Sequence, residues 1–260
     1  MKIIKDKTET YPCRLWFEDG EIEEKTEIYR LGYSNLVEKL ETPALPVDKF
    51  IEIYLPKILG TEVSFDPGAD LQRSEGERVL GATYFYDDHL EVKIDRRVTE
   101  EAEKTDEWGR YNATGAHEGG HCTLHSILFH RDPNQQEFIH RIVTKKISCL
   151  QRTIENYYTG EWWEYQANQF MANLLMPKEL FLAHFERERN AYGIRDNRHL
   201  AKNQHLVNAV VGYLARVFQV SKQAVRIRLQ ELKQIPNPQQ EELWQGSGFV
   251  GIGDRLMGRK

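Results

Sequence analysis

Apolar positions recur along this chain with two periods, and the switch between them divides it into helices and short strands. Lys49–Leu59 carries Phe50, Ile51, Ile53, Tyr54 and Leu55 at helical spacing, opened by Pro46 and Asp48 and stopped by Gly60. Thr61–Phe65 alternates like a strand, and Pro67-Gly68 reads as a turn. Residues 78–86 and 89–95 form an expected hairpin about Asp87-Asp88, and Thr99–Lys104 an expected short helix. A small, mostly antiparallel sheet should therefore precede the next helix. That helix starts with Asn112 as its expected N-cap and continues with an apolar face at Leu124, Ile127 and Leu128. Further on, Ala167, Phe170, Met171, Leu174 and Leu175 make one stripe of a helix that Pro177 ends.

The flanks are less patterned. Residues 11–17 suggest a short strand, and residues 18–20 a turn; the rest of residues 1–46 reads as an N-terminal extension that packs on the main domain. Between the two long helices, Ile139, Ile142 and Val143 have helical spacing, and Lys145–Leu150 suits a strand. Residues 178–213 look helical, and residues 214–229 read as a helix-turn-helix with Ser221 capping its second helix. Glycines from Gly246 onward make the end of the chain a flexible tail. The expected organisation is an extension (1–46), an α+β catalytic domain (47–177), a helical part (178–235) and a tail (236–260).

Composition narrows the class. The 260 residues are 40% hydrophobic and 29% charged, an ordinary soluble balance, with a formal net charge of -5 that argues against a general nucleic-acid binder. No apolar run approaches the ~20 residues of a membrane span. The first residues lack the apolar core of a signal peptide. Three widely spaced cysteines, Cys13, Cys122 and Cys149, make no disulfide framework, and a reducing, cytoplasmic setting is expected.

The chemistry concentrates at Ala116-His117-Glu118-Gly119-Gly120-His121-Cys122. Histidines four apart on a helix share a face, so His117 and His121 can reach one zinc ion at about 2.0–2.1 Å. Glu118 is placed to take a proton from the attacking water. Gly119 and Gly120 each cost about 1 kcal/mol relative to alanine inside a helix. Tolerating that cost suggests that another backbone packs close to this turn. His121 and His125 are also four apart, but that pairing would put Cys122 in the base position. His125 is therefore read as structural or surface. In the helix of residues 161–177, Glu164 and Glu161 both offer a third ligand, and spacing alone does not decide between them. Asn168, one turn after Glu164, could hydrogen-bond a ligating imidazole and fix its tautomer.

His117–His121, the run Glu164–Pro177 (E-x-x-A-N-x-F-x-A-x-L-L-M-P) and Arg228-Leu229-Gln230-Glu231-Leu232 together resemble the ImmA/IrrE family of metallopeptidases over about residues 48–235. The resemblance implies a zincin-like fold and a Zn2+ site of His117, His121 and Glu164, with Glu118 as general base. It also implies endopeptidase action on a regulatory protein, often a helix-turn-helix repressor. Two departures stand out: a long gap between the motifs, with an insertion near residues 130–160 expected to cover or flank the cleft, and Gly119 where the family commonly has a bulkier residue. A different class of reading is a non-proteolytic regulator that binds DNA or a repressor through residues 214–233, where Lys222, Arg226, Arg228 and Lys233 add positive charge. Similar segments belong to the family's fold, which favours a structural or protein-docking use over DNA reading. His184, His199 and His205 have the side-chain type of a transition-state donor, but no spacing singles one out.

Overall fold

The computed structural model describes residues 1–7, 10, 11, 13–18, 20–71, 78–129, 146–150 and 161–236. The histidines at 130 and 140, the helical spacing at 139–143 and the tail expected from residue 236 fall almost wholly outside these residues.

The architecture is mixed helix and sheet, as the α+β reading expects. Strands β1 (Lys2–Ile4) and β2 (Arg14–Trp16) form a small antiparallel ribbon. Helix α1 (Glu21–Leu36) follows. It was not expected from the pattern, because two of its four buried residues, Thr26 and Arg30, are polar. Arg30 satisfies itself against backbone, donating to the carbonyls of Leu174 (2.8 Å) and Pro43 (2.7 Å). The next helical stretch runs as α2 (Val47–Lys49), a π-helical segment (Phe50–Tyr54) and α3 (Leu55–Leu59), with Gly60 at φ 66° as its left-handed cap.

The main sheet has four strands in the order β3-β5-β4-β6, with β3 (Glu62–Ala69), β4 (Val79–Phe85), β5 (His89–Asp95) and β6 (Lys146–Leu150). The β4–β5 hairpin closes as expected, Tyr86 N–H donating to the His89 carbonyl at 3.0 Å. Strands β4 and β6 are also antiparallel, whereas β3 runs parallel to β5. The turn expected at Pro67-Gly68 is instead strand: β3 continues to Ala69 through a register shift between Asp66 and Ala69. A local irregularity lets a proline sit in a strand without breaking it.

Asp95 ends β5 and caps α4 (Arg96–Thr105), accepting from the Arg97 N–H at 3.2 Å. Helix α5 (Gly109–His125) then packs across β4 and β5. Asn112 is not its N-cap. The helix starts three residues earlier, and the Asn112 amide reaches out to the Gln219 carbonyl at 2.9 Å, a tertiary bond that outweighs its capping tendency. Helix α6 (Trp162–Leu175) crosses α5, and α1 packs on α6. The helical C-terminal part comprises α7 (Lys178–Ala191), α8 (Asn197–Ala201), α9 (Gln204–Phe218) and α10 (Lys222–Glu231). Ser221 caps α10 as expected, accepting from Ala224 N–H at 3.1 Å. One apolar cluster joins Leu15 and Tyr33, Phe50 and Phe170, and Val210 and Leu229, so the flanking segments share the core that holds the site.

Candidate metal centre

Burial of α5 explains its glycines in part. A Cβ at Gly120 would stand 3.3 Å from the Ala167 Cα and 3.1 Å from Phe170, so the close approach of α6 needs that glycine. At Gly119 the nearest atom would be the Phe50 ring at 3.4 Å, an ordinary contact, and no backbone crowds it. The expected backbone approach therefore holds at Gly120 and not at Gly119.

The crossing of α5 and α6 brings His117, His121 and Glu164 together. One ligating atom from each lies within 4.8 Å of the other two. His117 Nε2 is 3.1 Å from a Glu164 oxygen and 3.0 Å from His121 Nε2, and His121 Nε2 is 3.5 Å from the other Glu164 oxygen. The histidines are fully buried and Glu164 is 2% exposed. Glu161 is exposed at the start of α6 and is not part of this cluster. Asn168 Oδ1 lies 2.9 Å from His117 Nδ1. An amide oxygen only accepts, so His117 carries its proton on Nδ1 and turns the lone pair of Nε2 toward Glu164 and His121.

The protonation states suit a cation. Burial pushes His121 down, against the opposing pull of Glu164, and keeps the ring neutral. Burial raises Glu164, and the opposing pull of His121 and His117 that holds it below its usual range needs a proton on one of those rings; a cation in the same place would supply that positive charge instead. Neutral imidazoles and an ionised carboxylate are what metal ligation requires. The two-nitrogen, one-oxygen set fits a divalent ion in an open site.

Glu118 is buried on the same helix. Thr83, on β4, donates to its carboxylate at 2.6 Å. Gly81, two residues earlier, leaves room for it: a Cβ there would fall 2.7 Å from Glu118 Oε1. Neither Thr83 nor Gly81 was singled out in the sequence, where only the hairpin itself is visible. His125 is fully buried rather than at the surface; burial and the neighbouring His121 push it down to about 3. Burial likewise pushes the Cys122 thiol up, which leaves it an unreactive packing residue. His184 lies beside Tyr213 (3.1 Å) and His199 beside Asp196 (4.0 Å), both outside the cluster. His205 caps no ligand and sits exposed at the start of α9.

A small sheet, a helix bearing His117, Glu118 and His121 laid across it, and a carboxylate from a second helix have the arrangement of a zincin-like domain. Residues 104–230 match the family model of the IrrE N-terminal-like domain, a peptidase family, and this match supports a metallopeptidase of the ImmA/IrrE kind. No curated protein matches the chain. Among the described residues, no helix is long and apolar enough to cross a membrane.

Proposed function

We propose that the chain is a zinc-dependent endopeptidase, with His117, His121 and Glu164 as metal ligands and Glu118 as general base. The observation that carries the reading is the buried meeting of two imidazoles and a carboxylate, with one donor atom of each within 4.8 Å of the others. When bound there, a divalent zinc ion supplies Lewis acidity toward the scissile carbonyl and toward water. The chain's own residues do the rest. Asn168 keeps the His117 proton on Nδ1 and its Nε2 lone pair directed inward. Glu118, held by Thr83, accepts a proton from the attacking water and returns it to the leaving amine. The resemblance of the double motif supports a regulatory protein, such as a helix-turn-helix repressor, as substrate, and the three widely spaced cysteines suit a reducing, cytoplasmic setting.

The packing of α10 favours protein docking or a structural use over DNA reading. Arg228 is 4% exposed and donates to Asn173 Oδ1 on α6 at 2.7 Å, so it is committed to the core rather than to phosphates.

Metal content of the purified chain, measured beside His117→Ala, tests the site. About one zinc per chain, lost in the variant, is the expected result; no metal after zinc is supplied would overturn it. Glu118→Gln should keep zinc and lose cleavage, and cleavage retained by that variant would remove Glu118 from the mechanism.

A further inference from the structure

His125 lies one helical turn beyond His121, and its Nδ1 is 2.9 Å from His121 Nδ1. Its other nitrogen, Nε2, is 3.0 Å from Gln166 Oε1. Gln166 Nε2 in turn donates to the backbone carbonyl of Leu15, on β2, at 2.6 Å. All three side chains are buried. This run of contacts can be solved from its far end.

A backbone carbonyl only accepts, so the Gln166 amide must turn its nitrogen to Leu15 and its oxygen to His125. An amide oxygen also only accepts, so His125 Nε2 carries a proton. A neutral imidazole has one such proton, which leaves His125 Nδ1 as a lone pair. The 2.9 Å contact between the two rings is then bridged by a proton that belongs to His121 Nδ1. His121 Nε2 is left bare. It faces His117 Nε2 at 3.0 Å, itself bare because Asn168 holds the His117 proton on the far side. With Glu164, three acceptors then converge on the place a cation would take.

We propose that His125 is a positioning residue: with Gln166 and the Leu15 carbonyl it locks His121 into the Nδ1–H tautomer and presents Nε2 to the metal. The proposal rests on the metal reading above, and it gives the N-terminal ribbon a role in the site. The lock is directional. Each member can satisfy its neighbours in one orientation only, and that orientation is fixed by a main-chain carbonyl that no side-chain rotation can reverse. Asn168 does for His117 with one bond what His125, Gln166 and Leu15 do for His121 with three.

Two variants of the full chain separate this role from simple packing. His125→Asn keeps an oxygen near the place of the ring Nδ1 and can still accept from His121. His125→Leu fills the volume with no acceptor. Zinc affinity, read by competition with a chelator, should fall about 10- to 100-fold in His125→Leu and stay close to wild type in His125→Asn. Equal affinity in His125→Leu and wild type would overturn the proposal. A second readout needs no variant. Long-range 1H–15N NMR of the metal-free wild-type chain should place the His121 proton on Nδ1 and the His125 proton on Nε2. A His121 Nδ1 that carries no proton, in a chain that still takes up one zinc, would sink the lock and leave the metal site standing. A chain with the expected tautomers that binds no divalent ion would instead sink the metal reading.

Discussion

Thr83 Oγ1 lies 2.6 Å from a carboxylate oxygen of Glu118 and 3.3 Å from the Glu118 backbone carbonyl. The one hydroxyl proton goes to the carboxylate, so a strand side chain ties the carboxylate of the proposed base to the sheet. A hydrogen bond to a charged group contributes about 1.5–3 kcal/mol. Thr83→Val keeps the shape and removes the donor. Its cleavage rate should fall about tenfold or more with metal content unchanged. An unaltered rate would show that Glu118 needs no such support.

The glycines of this region should respond differently to the same substitution. Gly119→Ala places its Cβ 3.4 Å from Phe50, in ordinary contact, and gains helix propensity of up to about 1 kcal/mol. Gly81→Ala drives a methyl to 2.7 Å from both Glu118 Oε1 and Thr114 Cγ2. Thermal melting should therefore rise or hold in the first variant and drop in the second. The opposite order would refute the packing described for β4 against α5.

Asp95 makes a third case, with a pH signature. It is fully buried and accepts from Arg97 Nε (2.6 Å), Arg97 Nη2 (2.7 Å) and the Leu71 N–H (3.1 Å). Burial alone would raise its carboxyl, but Arg97 and the two backbone donors outweigh that and hold it below the ordinary 3.8. A carboxyl depressed in the folded state adds stability that is complete above its unfolded value and is lost as pH falls through the folded one. Asp95→Asn should melt well below wild type near neutrality, and the gap should close as pH drops below about 3.8. A gap that stays constant with pH would contradict the ionised role.

In the C-terminal helices, Arg228 and Lys222 make a matched pair. Arg228 is buried against Asn173, whereas Lys222 is exposed at the start of α10. Arg228→Ala should destabilise the chain by about 1–3 kcal/mol through the partner it strands, and Lys222→Ala by no more than about 0.5 kcal/mol. Urea unfolding measures both. Steeply salt-sensitive DNA binding that Lys222→Ala weakens would favour the regulator reading instead.

Much of the site was legible because its residues follow local rules. His117 and His121 need only helical spacing, and α6 shows its apolar stripe plainly. The choice of Glu164 over Glu161 needed either a resemblance or a fold, since burial alone separates the two. His125 was left between a structural and a surface place because its partner is distant. Its partner Gln166 stands 41 positions away, and that residue's own partner, Leu15, 151 away. Helix α1 was hidden because Thr26 and Arg30 occupy buried positions that a hydrophobic pattern expects to be apolar. For Arg30 and His125 a long-range hydrogen bond made a polar residue acceptable inside, whereas Thr26 bonds the Glu23 carbonyl three residues back, and neither kind of bond leaves a hydrophobic period.

The depth of the centre carries a last consequence. His117, Glu118 and His121 have no exposed surface and Glu164 has 2%, so in this conformation a peptide cannot touch the groups that would cut it. If the proposed cleavage takes place, these four residues must first become accessible, and the frequency of that exposure would set a ceiling on kcat. Substrates would then be sorted at admission, before any side-chain preference in the cleft is consulted.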